Sequence, residues 1–175
     1  RAVLRLDPDI VMVGEIRDND TSKTALQASL TGHLVLSTFH ASSAAAALTR
    51  MIYIVGQNPL FASAIRLIMA QRLVRRLDDA TKISYLPDAA LIDKLQKIVD
   101  TLPPNIQKPD LHKSTLYKPG SSPANPFGYK GQIALREQLL MTDTLRDMLQ
   151  QPSAEISTQK LEAAAVAGGM LTMLH

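Results

Sequence analysis

Residues 9–18, which read DIVMVGEIRD, and residues 31–40, which read TGHLVLSTFH, decide the fold expected for this chain. Each stretch is a short apolar run followed at once by polar side chains. The run Ile10–Val13 is too short for a helix and too uniformly apolar for a strand with one wet face, which favours a buried strand in the middle of a parallel sheet. Ligands bind at the carboxyl ends of parallel strands, so we expect Glu15 and His40 to converge on one ligand.

Composition narrows the class of protein. A chain of 175 residues can bury a core and suits one domain with an appendage. It has no cysteine, which excludes disulfides and thiolate metal sites. No apolar run reaches the roughly 20 residues that span a bilayer, and the start at residues 1–5 lacks the features of a signal peptide. We therefore expect a cytoplasmic protein and, because the first ten residues lead directly into a core strand, a fragment of a larger one.

Helix signals follow the two strands. A cap at Asp20 or Thr21 predicts a helix over residues 19–30, and a serine at 42–43 begins another that Gly56 ends. Further helices are expected at the positions that local caps and glycines mark. These are a long helix from Pro59 to Leu77, one around Leu91–Leu102, a short one after Thr142 or Asp143 that runs to Leu149, and a last one over residues 154–167.

Four arginines fall within residues 66–76, although the net charge is only +3. On a helix they could meet phosphate, an acidic partner or anionic lipid, or form a solvated or subunit-facing surface. Aromatic residues are few and none interleaves with these arginines, so the stacking platform of a single-strand binder is missing.

Composition divides the chain into three expected domains. Residues 1–77 carry the strand–helix–strand pattern, residues 78–128 carry an amphipathic helix and a loop rich in proline and glycine, and residues 129–175 carry one strand and short helices. The expected fold class is α/β, a parallel sheet with flanking helices followed by a small, mostly helical C-terminal subdomain.

Four blocks, in order, resemble the C-terminal half of the ATPase core in the motors of type II secretion and type IV pilus assembly. They are residues 4–9 (the end of the aspartate box), 13–18 (the Walker B motif), 31–40 (the histidine box) and 70–77 (the helix that follows). Residues 128–131 and 167–170 also resemble the small C-terminal domain of the assembly ATPases, as distinct from the retraction ATPases. The resemblance implies a partial RecA-like P-loop NTPase core that uses ATP and Mg²⁺ in a hexameric ring.

The resemblance also implies roles for individual residues. Glu15 would orient the attacking water and hold the magnesium shell through water, since phosphoryl transfer depends on positioning and charge compensation; a structural salt bridge is the alternative. His40 would reach the γ-phosphate, or else satisfy backbone carbonyls. Thr38 and Arg17 are expected beside the nucleotide, although Arg17 could pair with Asp18 or reach a neighbouring subunit.

Other polar residues are expected to support the site. Gly14 stands where many P-loop enzymes place a metal-binding aspartate, so Glu15 is expected to carry both duties. Asp9 is expected either to support the site or to form an acidic turn. Asp7 is expected to form that turn. His33 either supports the site or satisfies backbone carbonyls.

Two departures from the family pattern limit what the chain can do. It contains no Gly-x-x-x-x-Gly-Lys-Ser/Thr loop, so the chain alone is expected neither to bind nor to hydrolyse ATP appreciably. Assembly ATPases commonly carry a four-cysteine zinc module in the stretch that matches residues 78–128, and this chain has no cysteine. Zinc is therefore expected to be absent, and His112 cannot hold a metal alone.

The expected function is a motor fragment. In the intact protein, ATP hydrolysis between subunits of a ring would drive an inner-membrane platform protein, with a cytoplasmic adaptor as a second partner. The protein would lie at the inner face of the cytoplasmic membrane through those partners. A non-catalytic assembly module is one alternative. A nucleic-acid translocase is another, motivated by residues 66–76, although nucleic acid is not an expected partner.

Overall fold

The computed structural model describes residues 8–56, 58, 60–151 and 155–175. It is a mixed α/β structure with three two-stranded sheets in this part of the chain, β1–β2, β3–β6 and β4–β5. The elements in order are β1 (Ile10–Glu15), α1 (Asn19–Leu30), β2 (Leu34–Thr38), α2 (Ala44–Val55), α3 (Phe61–Ala64), β3 (Leu67–Leu77), β4 (Ile83–Tyr85), α4 (Ala89–Asp100), a 3₁₀ turn (Leu111–Lys113), β5 (Leu116–Lys118), β6 (Tyr129–Leu140), α5 (Asp143–Leu149) and α6 (Thr158–Ala167). Within the described ranges, no helix is long and apolar enough to cross a membrane.

The chain forms two compact units. The first comprises Arg1–Ala70 and Gln138–Gly168, and the second comprises Gln71–Glu137 and Gly169–His175. The division falls within β3 and β6, each of which contributes to both units. The three domains expected from composition stay a prediction.

Strands β1 and β2 form a parallel pair, as predicted, with Ile10 opposite Leu34 and Val13 opposite Ser37. Their burial differs from the prediction, because four large side chains are about half exposed or more. These are Ile10 at 57%, Met12 at 76%, Leu34 at 53% and Leu36 at 49%. No third strand pairs with β1 or β2 in the described part of the chain, so the expected place in the middle of a buried sheet is wrong for these residues.

Capping residues account for the helix boundaries of the first unit. The Asp18 carboxylate accepts a hydrogen bond from Thr21 N at 2.8 Å, so α1 is capped by Asp18 and not by Asp20 or Thr21 as expected. Ser43 caps α2 and Gly56 ends it with a φ of 72°, both as predicted.

Helices α5 and α6 complete the first unit. Thr142 caps α5, as predicted. Helix α6 begins at Thr158, and its expected start at residue 154 lies outside the described residues. The expected start of the long helix at Pro59 lies outside them as well. Helix α6 packs against both α2 and α5. Four fully buried leucines form the centre of this core: Leu48, Leu139, Leu145 and Leu161. Burying each such side chain stabilises the fold by about 2 kcal/mol.

The long helix expected up to Leu77 is wrong. Helix α3 ends at Ala64, and Leu67–Leu77 is the strand β3, which pairs with β6. Pairing with a distant strand overrides the helical spacing of the apolar residues, which local sequence cannot show. Successive side chains of a strand point to opposite faces, so Arg72 and Arg75 lie on opposite sides of β3 and the expected basic helix face does not form.

The second unit contains an antiparallel pair and one longer helix. In the β4–β5 pair, Ile83 lies opposite Lys118 and Tyr85 opposite Leu116. Helix α4 begins after Asp88, whose carboxylate accepts from Leu91 N at 2.8 Å, and it ends at Asp100. The expected amphipathic helix is therefore present, although it stops before Leu102.

Hydrogen bonds that involve Asp78 and Asn125 hold together the two ends of the segment between these residues. The Asn125 amide donates to the Asp78 carboxylate at 2.7 Å and to the Tyr129 carbonyl at 3.2 Å, and its oxygen accepts from Gly128 N at 3.1 Å. Asp78 N in turn donates to the Gly128 carbonyl at 3.0 Å. This tie needs neither a disulfide nor a metal.

Two glycines make the same closure possible. A Cβ atom at Gly120 would lie 1.9 Å from the Thr81 carbonyl oxygen, and one at Gly128 would lie 2.0 Å from the Gly120 carbonyl oxygen. Gly128 also has a φ of 67°, which side chains rarely adopt. The three backbone segments meet at a distance that only glycine permits.

Replacing Asn125 by Ala is expected to flatten the acid dependence of the second unit's stability. The hydrogen bond from Asn125, with one from Ala80 N, holds the pKa of Asp78 below its usual value. The stability that results is present above the unfolded-state pKa of about 3.9 and is lost as pH falls through the lower folded-state pKa. Urea unfolding of the variant should be easier than wild type near pH 6 and closer to wild type near pH 3.

Ser114→Ala is the matched control, because Ser114 lies in the same compact unit and its hydroxyl donates to the Asp110 backbone carbonyl, which does not titrate. It should lower stability by a similar amount at both pH values. A constant offset between wild type and Asn125→Ala across the pH range would show that Asp78 is not the group coupled to Asn125.

Candidate functional site

The ends of β1 and β2 bring the predicted site residues together. Pairing proceeds residue by residue up to Val13 and Ser37, after which Glu15 lies opposite Thr38. Gly14 is the extra residue of a β-bulge, a feature that redirects the side chain beside it. The Glu15 side chain is 21% exposed at the edge of the sheet.

An arginine and a histidine contact the Glu15 carboxylate. Arg17 Nη2 lies 2.5 Å from Oε2, and His40 Nε2 lies 3.2 Å from Oε1. The hydrogen bond from Arg17 lowers the pKa of Glu15, the charges of Arg17, His40 and Arg50 lower it further, and partial burial opposes them. The carboxylate is therefore ionised at neutral pH and can accept hydrogen bonds from water. Arg17 pairs with Glu15, not with Asp18, which is occupied in capping α1.

Thr38 joins the two strand ends. Its hydroxyl donates to the Gly14 carbonyl at 2.5 Å, and its own carbonyl accepts from Ile16 N at 3.2 Å. The two bonds flank Glu15 in sequence. The expected contact between Thr38 and a nucleotide stays a prediction, and the hydroxyl proton already has an acceptor in the protein.

Arg50 is part of the site, although sequence reasoning did not select it. Its Nη1 donates to the His40 carbonyl at 2.9 Å, and its guanidinium lies 5.5 Å from the centre of the Phe39 ring. Arg50 is the only cationic residue of α2, whose other residues are almost all apolar. That isolated charge on an apolar helix was the available signal.

The residues expected to support the site lie further back. His33 Nδ1 lies 3.0 Å from the Ala28 carbonyl and 3.1 Å from the Thr31 hydroxyl, so His33 closes the end of α1 and does not reach Glu15. The Asp9 carbonyl accepts from Leu34 N at 3.0 Å and begins the pairing of the strands. Asp7 lies outside the described residues.

A magnesium ion would find few direct ligands here. Mg²⁺ usually keeps several waters and takes one or two carboxylates with substrate phosphates. Glu15 is ionised, yet both of its oxygens already contact Arg17 and His40, which fits a carboxylate that acts through water. Throughout the described ranges, this site included, no group of three or more acidic or histidine side chains could hold a metal. The expected absence of zinc stays a prediction.

Comparison with solved structures defines the class of fold. The X-ray structure of the Legionella pneumophila ATPase DotB matches with a TM-score of 0.57 and 23% identity, over 98% of this chain and 34% of that chain. The Yersinia pseudotuberculosis ATPase DotB matches with a TM-score of 0.58 and 22% identity, over 97% of this chain and 32% of that chain. At these identities the similarity shows the mixed α/β fold alone.

The sequence establishes the family. The model of the type II/IV secretion system protein family matches residues 1–171, and the chain belongs to that family. It is 38% identical over 175 residues to type II secretion system protein E of Xanthomonas campestris, and 37% identical over 175 residues to the type IV pilus assembly ATPase PilB of Thermus thermophilus. Each match covers 99% of this chain, which spans 29% and 18% of the length of those relatives.

Proposed function

We propose that these residues supply the catalytic carboxylate and the phosphate-contacting histidine of an ATPase that powers type II secretion or type IV pilus assembly. The observation that carries the proposal is the ionised Glu15 held between Arg17 and His40 at the carboxyl ends of two parallel strands. The phosphate-binding loop would come from outside residues 1–175, which contain no such sequence. The complete core would then be RecA-like.

Glu15 would accept a hydrogen bond from the attacking water and fix its direction. An ionised carboxylate suits this role, because the protein contributes to phosphoryl transfer mainly by positioning the attacking water and not by forming a covalent bond to the phosphate. His40 lies within hydrogen-bond distance of Glu15. If His40 contacted the γ-phosphate, the Glu15 carboxylate would therefore lie beside the phosphate that is attacked. Mg²⁺, when bound with ATP, would neutralise charge on the phosphate oxygens.

The working assembly is a further part of the proposal. The intact protein would form a hexameric ring at the inner face of the cytoplasmic membrane. It would act there on an inner-membrane platform protein and a cytoplasmic adaptor. The relatives named for type II secretion and for type IV pilus assembly support a role in one of those two systems.

The test compares this chain with a longer form that includes a phosphate-binding loop. Binding of a fluorescent ATP analogue and release of phosphate are measured for both, with and without Mg²⁺. We expect activity only in the longer form and only with Mg²⁺. If both forms are inactive at concentrations where the longer form assembles, the chain is a non-catalytic assembly module.

His40→Ala in the intact protein is expected to lower turnover by about 100-fold while changing ATP affinity far less. The loss follows from removing one hydrogen-bond donor that acts on developing charge. Steady-state phosphate release and equilibrium binding of the ATP analogue measure the two effects. His112→Ala is the control, because His112 lies in the 3₁₀ turn of the other compact unit. An unchanged rate in His40→Ala would reduce His40 to a structural residue.

A further inference from the structure

We propose that Thr38 is a positioning residue that sets the direction of the Glu15 carboxylate, acting through the backbone and not through the nucleotide. The inference rests on the proposed function for its catalytic consequence. Its structural part concerns only contacts within the first compact unit.

The register of the strands creates the need for such a residue. Val13 and Ser37 are the last partners before the bulge, and Gly14 has no partner in β2. An inserted residue turns the next side chain away from its regular direction. A side chain at position 14 would have nothing to pack against, since a Cβ atom built there would meet no atom within 4 Å. Contacts of a side chain at position 14 therefore do not hold the bulge in place.

Thr38 supplies the contacts that hold it. Its hydroxyl binds the Gly14 carbonyl at 2.5 Å and its carbonyl binds Ile16 N at 3.2 Å, so the peptide groups on both sides of Glu15 are attached to one residue. Ile16 is buried, at 8% exposure, and anchors the far end. With the peptide groups on both sides of Glu15 fixed, its side chain can point away from the strand in only one direction.

The same residue also couples Glu15 to His40. Thr38 lies two residues before His40 and directly opposite Glu15. The carboxylate and the imidazole are 3.2 Å apart, and Arg50 fixes the other side of the turn through the His40 carbonyl. Loosening Thr38 would therefore change the distance between the two groups that the reaction uses.

The test uses Thr38→Val and Thr38→Ser in the intact protein. Valine keeps the shape and removes the hydroxyl, whereas serine keeps the hydroxyl. We expect Thr38→Val to lower kcat about 10- to 100-fold with little change in ATP affinity, because a small displacement of a catalytic group has an effect of this size. Thr38→Ser should stay within about 3-fold of wild type. Thr24→Val is the control, since the Thr24 hydroxyl donates to the Asp20 carbonyl within α1.

The opposite pattern overturns the proposal. A raised KM or Kd for ATP with kcat unchanged would mean that Thr38 contacts the nucleotide, and equal loss in Thr38→Val and Thr38→Ser would mean that the hydroxyl is not the group that matters. Amide hydrogen exchange of this 175-residue chain gives a readout without catalysis. Thr38→Val should speed exchange at residues 14–17, and Thr38→Ser should not. An inactive wild-type protein would overturn the proposed function, while unchanged exchange in Thr38→Val would overturn the role of Thr38.

Discussion

Glu15→Gln in the intact protein is expected to lower ATP turnover by roughly 1,000-fold or more and to leave affinity for ATP largely in place. Glutamine keeps the size of the side chain and removes its charge, so contacts with Arg17 and His40 weaken without loss of packing. The amide is a poor acceptor for a water that must be held for in-line attack. Single-turnover hydrolysis and equilibrium binding of ATP separate the two effects.

Glu155→Gln is the control for Glu15→Gln, because Glu155 is exposed and its side chain has no partner among the described residues. It should turn over ATP at the wild-type rate. Wild-type turnover in Glu15→Gln would remove Glu15 from the mechanism. A loss of ATP binding as large as the loss of rate would make it a binding residue instead.

Gly120→Ala is expected to destabilise the second compact unit by about 2–4 kcal/mol. The added methyl group would overlap the Thr81 carbonyl, which belongs to the backbone and cannot rotate away as a side chain would. The tie between Asp78 and Asn125 would open as the segments separate. Hydrogen exchange of peptides from residues 78–128 measures the effect directly, because it is local to the unit.

Gly131→Ala separates steric overlap from backbone strain. Gly131 has a φ of 76°, but a Cβ atom there would meet nothing within 4 Å. Its replacement should cost about 1 kcal/mol, the usual penalty for a side chain in the left-handed region. If Gly120→Ala and Gly131→Ala have the same effect, close backbone contact at Gly120 is not what orders the segment.

Local chemistry explains which elements the sequence could predict. A cap needs only the few residues around it, so Ser43, Gly56 and Thr142 placed the ends of α2 and α5 correctly. The parallel arrangement of β1 and β2 followed from two short apolar runs joined by a helix. The cap of α1 was expected at Asp20 or Thr21, and the structure has it at Asp18, two or three residues earlier.

Distant pairing explains what the sequence could not predict. Residues 67–77 have apolar residues at helical spacing, yet they form β3 because β6, some fifty residues later, offers a matching strand. The apolar run alone predicted that β1 is buried. The exposed side chains of Ile10 and Met12 show that an apolar run does not ensure that other elements cover the strand.

The site was predictable where it follows the strand ends. Glu15, Thr38 and His40 converge because the carboxyl ends of neighbouring parallel strands meet. The bulge at Gly14 and the contact of Arg50 with the His40 carbonyl depend on register and on a side chain from another element. Neither the bulge nor the Arg50 contact can be inferred from the spacing of residues along the chain.

The pairing of Glu15 with cationic neighbours has a consequence for the approach of an anionic ligand. The positive charges of Arg17 and Arg50 both act on the Glu15 carboxylate and lower its pKa. A polyanion that approaches these strand ends is therefore attracted by the two arginines as well as repelled by the carboxylate. Such attraction accelerates association and weakens as ionic strength rises. In the proposed ATPase, the arginines would let an acidic group stand beside a triphosphate without slowing its capture.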